Sequence, residues 1–241
     1  KTENFIIASI ILLASSIVFP DHQVVSIVIV CGYAISVFLN RLAVLDKRAH
    51  SRKSYYIDQT INWCIFISAI MIIYFRDPDL FNFPRFWAED GKFFYAHFFN
   101  NRDWIELFRA WEYYRILHNF TAFFTVRWIS LENAPLAFTI VSAMVTVLPV
   151  AIVTFGKSIC WNTPFKKIII VSLYFLVPFS QENWLNLNGT SYTLTFVSLL
   201  ILLANVNHKS RWMYRSYLLL AGLTGLLSCL FIPLFGLRAW L

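Results

Sequence analysis

Two adjacent carboxylates, Glu89 and Asp90, sit inside the aromatic stretch RFWAEDGKFFYAHFF at 85–99. A carboxylate beside apolar surface is costly unless it finds a cation, a hydrogen-bond donor or a ligand. An acid held in this way can accept a proton from an attacking hydroxyl. The stretch is predicted to be a helix with Pro84 in its first turn, which puts Arg85, Glu89 and Lys92 on one face, free to pair in water. Asp90 points about 100° away, onto a stripe with Phe83, Phe86, Trp87, Phe94 and His97. Glu89 therefore reads as part of a solvated charged face, whereas Asp90 needs a partner or a function. Gly91 removes a side chain beside it, either to admit a backbone or ligand or simply to kink or end the helix. His97 reads as an interfacial hydrogen-bonding residue.

Arg85, Arg102, Arg109, Arg115 and Arg127 lie in the same long segment, and a guanidinium is well matched to phosphate. YYRILHN at 113–119 groups Arg115 with Tyr114, His118 and Asn119. It reads either as an anion-binding group or as a headgroup anchor in an aromatic belt. SQENWLNLNGT at 180–190 crowds Glu182, Asn183, Trp184, Asn186 and Asn188 into one short link. These supply acceptors, amide donors and an aromatic platform suited to a sugar or its acceptor, or else form a polar turn. NFT at 119–121 and NGT at 188–190 also match glycosylation sequons and are given little weight.

The elements that must hold these residues follow from composition. Of 241 residues, 59% are hydrophobic, 18% aromatic and only 14% charged, which is membrane-protein composition. Apolar runs predict seven spans, at 4–19, 24–45, 58–75, 133–155, 167–180, 191–206 and 217–235. The first run passes straight into a second, so it reads as an anchor rather than a cleaved leader. The links DKRAHSRK (46–53), GKSICWNTPFKK (156–167) and NHKSRWMYR (207–215) are basic and fall on one side, marking it as cytoplasmic. The net charge of +7 therefore reports topology, and no nucleic-acid partner is expected. The N-terminus lies inside, and the segment 76–132 lies outside. Within it, 101–120 has Trp104, Leu107, Phe108, Trp111 and Tyr114 at helical spacing, predicting an amphipathic helix in the headgroup zone.

Cys31, Cys64 and Cys229 fall in spans and Cys160 in a basic link, with no disulfide framework or paired-cysteine metal pattern. There is no P-loop, HExxH or GxSxG. Glu89 and Asp90 could contribute to a divalent-metal site, but no obvious third ligand supports one. The expected fold class is an all-α polytopic transmembrane helix bundle of about seven spans with interfacial amphipathic helices in a long outer loop. The expected organisation is a single membrane domain, 1–241. It comprises an N-terminal hairpin with its basic link (1–57), a core (58–206) containing the outer loop 76–132, and a last span (207–241).

AEDG shortly after a transmembrane helix, in a long outer loop of interfacial helices, resembles the multi-spanning GT-C glycosyltransferases, in particular those similar to bacterial O-antigen glucosyltransferases. The resemblance covers roughly 58–205. It implies that Asp90 matches the catalytic acid, with Glu89 its less certain neighbour. It also implies a polyprenyl-phosphate hexose donor, a cell-surface glycan such as lipopolysaccharide O-antigen as acceptor, and a bacterial inner membrane with the acidic loop in the periplasm. The substrate-binding candidates are Arg85, Arg115, His118, Glu182, Asn183, Trp184 and Asn188. The chain departs from the pattern in placing two spans before the one leading into the acidic loop, and in stopping just after its seventh. A shortened variant, a fragment, or one part of an assembly with a partner subunit or second copy is the corresponding expectation. The rivals are a lipid-linked sugar flippase or transporter and a non-catalytic membrane subunit. Coupled transport is disfavoured because the centres of the predicted spans lack ionisable residues.

Overall fold

The computed structural model describes residues 51–240, apart from 88, 112, 177–183 and 207–209. The spans predicted at 4–19 and 24–45 lie outside these residues. The described chain is all-α, with a single antiparallel pair of two-residue strands, β1 (Ala110–Trp111) and β2 (Tyr113–Tyr114). By packing, 51–78 with 153–176 form one unit and 79–152 with 184–240 another.

The first unit is built on α1 (Ser51–Arg76). Ile61, Ile65, Ala69, Ile72 and Ile73 are buried on one side of it, while Trp63, Ile67, Ile70 and Met71 are exposed on the other. Lys167 closes the unit from α6 (Pro164–Leu176), donating to Asn62 Oδ1 at 2.8 Å and to the Thr154 carbonyl at 2.7 Å. A buried amide and a helix-end carbonyl are thereby satisfied by one cation.

In the second unit, α2 (Asp79–Asn82) is followed by a non-helical stretch, 83–87, and Glu89 onward is helical. The first part of this helix, Asp90–Tyr95, is a π turn, and it continues as α3 (Ala96–Asn100). A Cβ on Gly91 would stand 3.0 Å from the Phe86 Cβ, so glycine is what lets Phe86 fold over this turn. The continuous amphipathic helix expected at 101–120 is not formed. Asp103 accepts from the Ile105 N–H and starts a 3-10 turn, Trp104–Phe108; the strand pair follows, and α4 (Ile116–Trp128) begins only after Arg115. Asp103 favours this because its short side chain offers the backbone a local acceptor that competes with helix propagation.

Two further helices complete the frame. α5 (Ala134–Phe155) carries Pro149 in its interior, and α7 (Leu187–Leu203) starts at an Asn186 cap whose Oδ1 accepts from the Gly189 N–H at 2.6 Å. Phe94, Phe98, Leu107, Phe123, Phe138 and Leu187 share one apolar cluster, which ties the π turn to α4, α5 and the start of α7. The span expected at 217–235 is divided. α8 (Arg211–Thr224) stops at Gly225, followed by a 3-10 segment (Leu226–Phe231) and α9 (Ile232–Trp240). A Cβ at Gly225 would lie 2.9 Å from that of Ser191, so close approach to α7 sets this break.

Among the described residues two helices are long and apolar enough to cross a membrane, Asp58–Arg76 and Ala134–Phe155. They coincide with the third and fourth predicted spans. The helices at the fifth and sixth, α6 and α7, have 13 and 17 residues.

Candidate active site

The site is assembled where the π turn meets the first residue of α7. Asp90 is 1% exposed, with its Oδ2 accepting from the Leu187 N–H at 3.1 Å. Its Oδ1 is buried without a hydrogen-bond partner. Burial in this aromatic wall, reinforced by the neighbouring Glu89 charge, pushes the Asp90 carboxyl up to about 7. The Leu187 N–H and the Arg115 guanidinium pull the other way and do not overcome it.

The residues beside these two are also joined. Asn188 Nδ2 donates to Glu89 Oε2, and Arg115 donates to Asn188 Oδ1 at 3.0 Å. Glu89 is exposed, so the bridge Glu89–Asn188–Arg115 runs from the surface inward. Arg115 also lies over the Phe94 ring, its guanidinium carbon 5.6 Å from the centroid. His118, on the first turn of α4, stacks at an angle against the same Phe94 at 4.8 Å between centroids. It is 1% exposed, beside the Leu187 backbone. Burial, then the Arg115 charge, holds His118 down to about 3, so it is a neutral imidazole.

Three features of this arrangement are uncommon. Leu185, a buried residue just before the α7 cap, has φ of 52°. That left-handed conformation is unfavourable for a bulky side chain and clusters at functional sites. π turns are likewise enriched there. Buried polar atoms without partners also concentrate in this region, at Trp87 Nε1, Asp90 Oδ1 and Asn119 Oδ1, and native interiors leave few such atoms.

Of the sequence candidates, Asp90, Glu89, Arg115, His118 and Asn188 are thus brought together. Arg85 is exposed and sits over Trp87, 5.9 Å from the ring centroid, outside these contacts. Trp184 is buried two residues before the cap. Glu182 and Asn183 lie outside the described residues. His97 pairs with Glu106 at 2.9 Å, and Arg109 with His97 holds the Glu106 carboxyl below its usual range. Among the described residues no three His, Cys, Asp or Glu side chains converge to hold a metal.

Sequence reasoning passed over the Leu187 N–H, the Asn186 cap and the clamp made by Asn119. A backbone donor leaves no mark in a sequence. Asn186 did have one, an Asn three residues before Gly189 at the edge of an apolar run. Asn119 is 1% exposed and donates through Nδ2 to the carbonyls of Leu107 at 3.1 Å and Arg109 at 2.9 Å. It therefore serves as an internal brace, not an exposed sequon. Asn119→Ala should leave both carbonyls without that donor and lower stability by about 2–3 kcal/mol, measured as a fall in the thermal midpoint in detergent. An unchanged midpoint would show that the brace is dispensable.

The chain matches no protein-family model, no curated protein and no solved structure.

Proposed function

We propose that the chain is a polytopic membrane glycosyltransferase of the GT-C type. It moves a hexose from a polyprenyl-phosphate carrier to a cell-surface glycan at the outer face of a bacterial inner membrane. The observation that carries this reading is Asp90, a carboxylate buried among aromatic rings, with one oxygen tied to a backbone N–H and the other uncommitted. Arg115 stands beside it. The membrane setting is supported by α1 and α5 and by the apolar side chains that remain outside any protein core, among them Ile67, Met144, Leu219 and Leu230. The seven-span topology with the acidic loop outside follows the basic links.

In this reading the ionised Asp90 accepts the proton of the acceptor hydroxyl as its oxygen bonds to the anomeric carbon. The bond from that carbon to the carrier phosphate breaks, and the polyprenyl phosphate leaves with the electron pair. Arg115 stabilises the departing phosphate. Asp90 is 1% exposed, so its surroundings must open for substrate to reach Oδ1, and in this reading the Glu89–Asn188–Arg115 bridge is the contact that releases. Opening frees the Arg115 and Asn188 groups for substrate, so closure and catalysis compete for the same donors.

One observation favours a second reading. The Leu187 N–H is the first of α7 and would need an acceptor in any membrane protein, so Asp90 can serve as a cap in a non-catalytic subunit. Incubating the purified chain with a panel of polyprenyl-phosphate hexoses and isolated O-antigen separates the two. Transfer of labelled hexose supports the enzyme. Its absence across the panel, from a folded chain, leaves the structural subunit.

A further inference from the structure

The far end of α7 carries a second feature that the proposed reaction does not use. A cavity of about 520 Å³ opens there between α8 and α9, lined by Arg211, Arg215 and Arg238 together with Tyr214, Leu218 and Phe235. Among the described residues no acidic side chain lines it. Arg238 is committed to the fold. It donates to the carbonyls of Ile201 at 3.0 Å, Leu202 and Ala204, closing the carboxyl end of α7. Arg211 and Arg215 belong to successive turns of α8 and are exposed, and Arg215 lies over the Trp212 ring at 5.3 Å. They remain able to turn donors toward an anion, while Leu218 and Phe235 offer apolar wall beneath them.

The setting is that of a membrane boundary. Trp212 is 71% exposed and Trp240 88%, each within two residues of a cavity arginine, as expected for indoles at headgroup level. α7 has 17 residues and is thus about 25 Å long, most of a bilayer core. Its amino end holds Asp90, so its carboxyl end lies near the opposite leaflet. That is also the side to which the basic pattern of 207–215 assigns this link.

We propose that this cavity binds an anionic phospholipid of the cytoplasmic leaflet, with its phosphate between Arg211 and Arg215 and its first acyl methylenes against Leu218 and Phe235. The proposal rests on the membrane-spanning part of the reading above, not on its chemistry. A paired-arginine mouth over an apolar wall matches a phosphate carried on a hydrocarbon chain better than a free ion, which would leave the wall without a partner. It is distinct from the sugar donor, which belongs at the other end of α7.

Native mass spectrometry of the purified full chain in neutral detergent tests this, with phosphatidylglycerol and phosphatidylcholine of identical acyl chains offered in competition. The wild type should retain one phosphatidylglycerol at least tenfold more strongly than phosphatidylcholine. The Arg211→Gln/Arg215→Gln variant should bind it about thirtyfold more weakly, from about 1 kcal/mol for each basic group. Both side chains are exposed, so the helical circular dichroism should be unchanged. Equal retention of the two lipids, or a variant that binds like the wild type, would overturn the proposal. So would displacement of the lipid by millimolar inorganic phosphate, which would make the site one for a free anion. As a check that needs no variant, photoreactive phosphatidylglycerol should label peptides of α8 and α9, and labelling elsewhere would refute the assignment. Lipid selectivity lost with sugar transfer retained removes only this site. Selectivity retained without transfer removes only the enzyme.

Discussion

Asp90→Asn is expected to lower kcat/KM for sugar transfer about a thousandfold, the size of a positioned general base. The substitution keeps the shape of the side chain and an acceptor for the Leu187 N–H, so α7 should start where it does now. That makes it a cleaner test than alanine, which would also remove the cap. Thermal unfolding and gel filtration of the same preparation establish that the chain is intact. Activity within tenfold of wild type in a folded variant would remove Asp90 from the chemistry and leave it as a cap. The loss should also depend on pH. With the carboxyl pushed up to about 7, wild-type kcat/KM should rise about tenfold per unit below that point and level off above it.

The second large effect is on stability. Asp90 keeps its proton to about pH 7 in the folded chain, against an ordinary 3.8, so the folded state holds more protons between these values. Stability therefore falls as pH rises across that window, by about 4 kcal/mol in all. His118 acts in the opposite sense. Its folded value near 3, against 6.5, means that stability is lost as pH falls from 6.5 toward 3, by about 5 kcal/mol over the full window. Between about pH 4 and 6.5 the two slopes offset, and the wild-type melting profile should be nearly flat there. Asp90→Asn removes one of them. The variant should melt higher than wild type at pH 8 and lose about 1.4 kcal/mol per unit on acidification below 6.5. Melting curves across this range in one detergent measure both. Parallel profiles for the two chains would contradict the assigned burial of Asp90. A variant that is inactive yet more stable at alkaline pH would show an acid whose ionisation is held against the fold.

The frame was legible where long apolar runs dominate. The predicted spans 58–75 and 133–155 correspond closely to α1 and α5, because their apolar runs are long enough to sustain a helix, in α5 even across Pro149. Reading failed where short side chains or close packing intervene. Asp103 diverts the 101–120 segment into a 3-10 turn, and contact with Ser191 divides the last apolar run at Gly225. α7 begins at Leu187, earlier than the expected 191, since Asn186 supplies a cap that hydropathy does not register. Within the site, helical spacing already put Asp90 on the aromatic face with Phe94. The helix expected from Pro84 is not formed over 84–87, so the supposed helical face shared by Arg85 and Glu89 does not exist. That Asp90 meets Leu187, 97 positions away, depends on tertiary packing and a main-chain group, for which single-sequence pattern has no signal.

The π turn at Asp90–Tyr95 makes the aim of the acid depend on how many residues lie in the turn as well as on which they are. Such a turn accommodates one residue more than an α-helix, and each residue rotates the chain by about 100°. Removing a single residue from it, with Phe94 and Phe98 still seated, would let α-type bonding re-form and swing the carboxylate out of its wall toward lipid or water. Among homologous chains, an indel in this stretch would therefore change function more than most substitutions within it. Two chains sharing the letters AEDG need not share a reactive acid.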